Sequence, residues 1–76
     1  MVYYSISLYH LYAHYMKSSE FHRIIKRNGW VCIRTRGSHY MYLKNGTSYS
    51  VPFHASKEVP EGLRKKIIRD MKLNIN

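Results

Sequence analysis

The sequence predicts an α+β domain of order αβββα, with a three-stranded antiparallel sheet and both helices on one of its faces. Three observations carry this. Two segments, near 18–29 and 60–71, place apolar residues at helical spacing and carry helix-terminus residues. Between them lie three short runs of β-branched and aromatic residues, divided by the turn pairs Gly37-Ser38 and Asn45-Gly46. The chain has 76 residues, enough for one small domain. Two amphipathic helices in so short a chain bury both stripes at once by sharing one side of the sheet.

The first helix is expected to start at Ser18 or Ser19, since a serine hydroxyl can accept from the free N–H groups of the first turn. Glu20 suits the positive helix start, and Lys26 and Arg27 suit its negative end. Phe21, Ile24 and Ile25 form the apolar stripe, and Asn28-Gly29 closes the helix through a left-handed glycine. His22 and Arg23 are expected on the solvated face.

Residues 30–35 read as the first strand, with Val31, Ile33 and Thr35 on one face and Trp30, Cys32 and Arg34 on the other. Residues 39–43 read as the second, with His39, Met41 and Leu43 opposite Tyr40 and Tyr42. Asn45-Gly46 signals a tight hairpin into a third strand over 47–53, where Tyr49, Val51 and Phe53 share a face. Pro52 donates nothing to a ladder and belongs at a strand end or edge. Residues 54–59 are loop. Pro60 suits the first turn of the second helix, whose stripe is expected at Leu63, Ile67 and Met71, widened by Ile68. The remaining tail is expected to extend that helix briefly or fray.

Thirteen Lys and Arg stand against four Asp and Glu, a net charge of +9. Such a surface calls for an anionic partner, with nucleic acid first and an acidic protein second. No apolar run reaches membrane-spanning length. Cys32 is the sole cysteine, so no internal disulfide forms; it reads as a small strand hydrophobe in a reducing, cytoplasmic setting. His10 and His14 are four apart and could share a helix face as metal ligands, but no Glu of the zincin pattern lies between them and no third ligand is evident, so no metal is expected; no cofactor motif is present. Residues 1–15 differ from the rest. They hold no charged side chain but five of the eight tyrosines, and lack the basic start of a signal peptide. They are read as an extension that arises from a start assigned too early, the alternative being a tyrosine-rich arm packed on the domain; the compact domain, 16–76, is expected to begin at Met16.

The chemistry concentrates in Arg34-Thr35-Arg36-Gly37-Ser38-His39-Tyr40. A histidine exchanges protons near neutral pH, and arginine offers a planar fork of donors that matches phosphate. Together they suit cleavage of a phosphodiester. Four scattered carboxylates make a poor two-metal centre.

The runs Met16-Lys17-Ser18-Ser19-Glu20-Phe21, Arg27-Asn28-Gly29-Trp30, Arg36-Gly37-Ser38-His39, Val51-Pro52-Phe53-His54 and Gly62-Leu63-Arg64 with Ile67-Ile68 resemble the HicA toxin family. The resemblance covers residues 16–76 and leaves out 1–15. The helix start Pro60-Glu61-Gly62-Leu63 departs from the family's Gly-Thr-Leu type of opening. The resemblance implies a double-stranded-RNA-binding-domain-like fold and a ribosome-independent mRNA endonuclease. It also implies a toxin of a type II toxin–antitoxin pair, neutralised by a HicB-like antitoxin. The family's functional histidine falls on His39.

On that reading the RNA supplies its own 2′-OH nucleophile, and His39 serves as general acid or general base without a metal. Candidate RNA contacts are Arg34, Arg36, Ser38, Tyr40, His54, Lys26, Arg27, Arg64 and Lys65. Ser38 is expected to orient His39 within the turn. Tyr40 either stacks on a base or packs half-buried on its strand. His54 is a candidate second proton-transfer group. A non-catalytic double-stranded-RNA-binding module is the alternative, separated from the enzyme by whether RNA is cut or only bound.

Overall fold

A computed structural model describes residues 16–75. The expectations for residues 1–15 lie outside the described residues. The order is α1 (Ser18–Arg27), β1 (Val31–Arg36), β2 (His39–Lys44), β3 (Thr47–Pro52) and α2 (Glu61–Met71). The sheet order is β1-β2-β3, antiparallel throughout. This is the expected αβββα arrangement, α+β and double-stranded-RNA-binding-domain-like.

One face of the sheet builds the core. Tyr42 and Val51 pack with Phe21, Ile24 and Ile25 of α1 and with Ile67 and Met71 of α2. Cys32, Tyr40 and Tyr49 pack against this cluster from the same face. Both helices therefore cover one side of the sheet, and among the described residues no element covers the other, here called the open face.

The turns follow their residue chemistry. Gly29 ends α1 at φ +92°, a conformation that a side chain resists. Asn45 and Gly46 both take positive φ, as the tight β2–β3 hairpin requires.

Three expectations about the helices fail for identifiable reasons. No side chain caps α1. Ser18 is the first helical residue, and its hydroxyl instead accepts from the His54 backbone N–H at 3.0 Å. The free N–H groups of Ser18 and Ser19 go to the Lys57 and Ala55 carbonyls, which clasps the helix start to the loop after β3. The stripe of α2 is turned by one residue. Arg64, Ile67 and Met71 are its buried members, while Leu63 is exposed. Lastly, the tail docks. Leu73 and Ile75 are buried, and the Asn28 side chain both donates to the Asn74 carbonyl at 2.9 Å and accepts from the Asn74 N–H at 2.7 Å.

Candidate active site

The open face is organised by the pairing of β1 with β2 and β2 with β3. Arg36, His39 and Pro52 make one cross-strand row. Arg34, Met41 and Ser50 make the next, and Val31, Leu43 and Ser48 the third. Regular alternation would put Arg34 on the face of Cys32, against the core. A β-bulge between Cys32 and Arg34 prevents this. Ile33 is the extra residue, so Cys32 faces the core opposite Tyr42 while Arg34 emerges on the open face opposite Met41. The bulge thus corrects the expected alternation of β1 and brings both arginines onto the side of His39.

The result is a cleft of about 360 Å³ lined by Arg34, Arg36, His39, Met41 and Ser50. Its cations come from β1, its histidine from the start of β2 and its hydroxyl from β3. His39, Arg34 and Arg36 are exposed to solvent. Ser38 closes the end of this hairpin through its backbone, accepting from the Phe53 N–H at 2.6 Å. Met41 and Ser50 were not among the residues expected here. The signal for Ser50 was its alternation with the core residues Tyr49 and Val51, which places it on the face of His39.

The other candidates scatter. Tyr40 lies half-buried on the core face, stacked on Phe53 with ring centroids 4.7 Å apart, on the side of the sheet opposite His39. His54 is exposed on the loop after β3 and does not line the cleft. Lys26 and Arg27 end α1, whose C-terminal Asn28 carbonyl accepts from Lys44 Nζ at 2.6 Å. That places them towards the end of β2 far from His39. Lys65 is exposed on α2 and paired with Glu61 at 3.0 Å. Arg64 is 0% exposed, its Nη1 donating to the Val59 carbonyl at 3.2 Å. It belongs to the core stripe and cannot contact RNA from there.

His22 departs furthest from expectation. It is 3% exposed rather than solvated. Its Nε2 meets the Pro52 carbonyl at 2.8 Å and its Nδ1 the Tyr42 hydroxyl at 2.6 Å. A carbonyl only accepts, so Nε2 carries the proton, and Nδ1 accepts from the Tyr42 O–H. Both bonds fit a neutral ring. Burial and the nearby Lys26 charge push the His22 pKa below the ordinary histidine range, against a smaller opposing effect of the Pro52 bond. Burial pushes the Tyr42 hydroxyl up, which keeps its proton for His22. Tyr40 and Phe53 meet the His22 ring edge-on at 5.0 Å. This cluster anchors Pro52, the residue paired with His39 across the sheet. Pro52, across the sheet from His39, and Tyr40, next to it in the chain, are therefore set from the core.

The fold and cleft define a class: a small basic α+β domain that presents an exposed histidine beside two arginines on the sheet face opposite the helices. Comparison with known proteins narrows it. The family model described as the HicA toxin of bacterial toxin–antitoxin systems matches residues 18–73. A relative in Pseudomonas fluorescens (strain Pf0-1), named "Probable mRNA interferase HicA", is 43% identical over 58 residues, covering 76% of this chain and 97% of the relative. A second, in Photorhabdus laumondii subsp. laumondii, is named "Probable mRNA interferase HicA 2". It is 41% identical over 54 residues, covering 71% of this chain and 91% of that protein. No solved structure matches the chain. The chain belongs to the HicA toxin family.

Proposed function

We propose that this chain is the toxin of a toxin–antitoxin pair and an endoribonuclease that cuts mRNA by metal-independent acid–base catalysis at His39. The observation that carries the reading is the open-face cleft, where one exposed histidine on β2 shares the lining with Arg34 and Arg36 of β1. Family membership supports the ribonuclease and toxin roles, and with them a HicB-like antitoxin as partner.

The reaction follows from the groups present. The RNA 2′-OH attacks the adjoining phosphorus, the P–O5′ bond breaks, and a 2′,3′-cyclic phosphate and a 5′-OH remain. One proton leaves the 2′-OH and one arrives at O5′. His39 is the side chain in the cleft suited to either transfer near neutral pH. Water completes the other. Arg34 and Arg36 meet the charge that grows on the phosphoryl oxygens, where fixed donors stabilise a transition state most. All four carboxylates of the chain lie elsewhere, so the lining carries none of the oxygen ligands that a two-metal centre uses.

The test is an RNA with a single 2′-deoxy nucleotide at the mapped cut. Cleavage is expected to stop at that bond and continue at others, with products ending in cyclic phosphate. Unimpaired cleavage at the deoxy position contradicts the mechanism.

A further inference from the structure

We infer that the open sheet face is a platform for unpaired RNA, with the aliphatic row Val31–Leu43 seating the base beside the phosphate that His39, Arg34 and Arg36 hold. The inference rests on the proposed function and adds the class of RNA and the residues that select it.

The row is exposed without structural need. Val31 is 61% exposed and Leu43 37%, and the two are directly paired across β1 and β2. The bulged Ile33, 53% exposed, adds a further aliphatic side chain on the same edge strand. The core formed by the described residues lies on the opposite face and includes none of the three. A contiguous apolar strip left facing water on so small a domain marks a binding surface.

What binds there follows from the neighbours. The strip continues through Met41 into the cleft of His39, all on one face of β2. His39 and Leu43 stand four positions apart, roughly 13 Å at strand spacing. A phosphate held at one end therefore leaves its adjoining nucleotide over the other. Arg34 flanks the strip on β1, and Ser48 and Ser50 flank it on β3, offering hydrogen bonds to sugar and base edges. A net charge of +9 favours a polyanion.

A duplex fits poorly. Its base faces are stacked inside the helix and give an aliphatic row nothing to cover. Unpaired bases expose those faces, and unpaired RNA is where proteins reach them. Attack by the 2′-OH also needs the 2′-oxygen, phosphorus and O5′ in line, which an A-form helix holds them away from.

The test uses the full chain carrying His39→Ala, so that RNA is bound and not consumed. Its affinity is measured for an unstructured oligoribonucleotide spanning the cut mapped with wild-type protein. The same strand is then tested annealed to its complement, and tested with an abasic residue beside the cut. Intact unpaired RNA is expected to bind about tenfold tighter than either of the others. Adding Val31→Ser and Leu43→Ser is expected to erase that preference and spare duplex affinity. Arg34→Gln is expected to weaken all three. Equal binding of intact and abasic RNA by the His39→Ala chain overturns the platform without needing the double variant to fold. So does an unchanged preference after Val31→Ser/Leu43→Ser, as expected if the row serves a protein partner instead. Wild-type protein that cleaves no RNA removes the proposed function and the platform with it. Cleavage with no base preference removes the platform alone.

Discussion

His22 and His39 are the same residue type with opposite fates. His39 starts a strand on the side without helices, and its ring meets solvent. His22 sits on the inner side of α1 and spends both ring nitrogens on Tyr42 and Pro52. Replacing His22 with Ala leaves a buried hydroxyl and a carbonyl without partners and opens a cavity. The cost is expected to be about 2–4 kcal/mol in urea unfolding; a loss within the scatter of surface variants contradicts the buried role. The pH dependence has a definite sign. Burial favours the neutral ring, so the unfolded chain takes up the proton at higher pH than the folded chain. The contribution of His22 is complete well above 6.5 and is lost as pH falls through 6.5 and below. It levels off once the folded ring is itself protonated. His22→Leu is expected to flatten the stability profile across that window, whatever its effect on total stability. An unchanged slope contradicts the assignment. Local context singled out His39 beside its arginines, but nothing in it signalled the burial of His22. His22 follows Phe21 in a basic stretch, and the partners that bury it lie 20 and 30 residues away.

Among the elements, turns and strands were the most legible. Asn45-Gly46 and Gly29 adopt the backbone that their residue types predict, and β2 and β3 alternate as expected. β1 and α2 were less so. The bulge at Ile33 moves Arg34 from the core face to the open face, and a strict period of two cannot signal it. In α2 the stripe runs through Arg64, whose stem and head are both buried, with Nη1 on the Val59 carbonyl and Nε and Nη2 without a partner among the described residues. Hydropathy alone assigned that place to Leu63. The bulge makes a prediction of its own. Deleting Ile33 brings Arg34 directly after Cys32, in the regular position opposite Met41, so the chain is expected to fold and still cleave RNA. Circular dichroism and a cleavage assay check this. A folded deletion variant that no longer cuts contradicts the role given to the bulge.

At the scale of the whole molecule, the two helices occupy one face of the sheet and free the other for chemistry. The fold was legible because two amphipathic helices and three short strands in 76 residues have few ways to pack. The candidate site was legible at its centre, in His39 with Arg34 and Arg36, and not at its margins. Tyr40, Arg64, Lys26 and Arg27 each carry suitable chemistry, but the fold places them on another face, in the core or at the far end of β2. Charge and residue type report what a side chain can do, and only the pairing register reports where it stands. The central claim is that His39 cuts RNA on the open face without a metal. The direct measurement is cleavage of end-labelled mRNA in excess EDTA by the wild-type chain and by His39→Ala, with thermal unfolding of both. Wild-type cleavage is expected to persist in chelator. The variant is expected to lose about 10²–10⁴-fold in rate while unfolding at the same temperature, since His39 is exposed. Cleavage that stops in EDTA, or that survives in a folded His39→Ala chain, contradicts it.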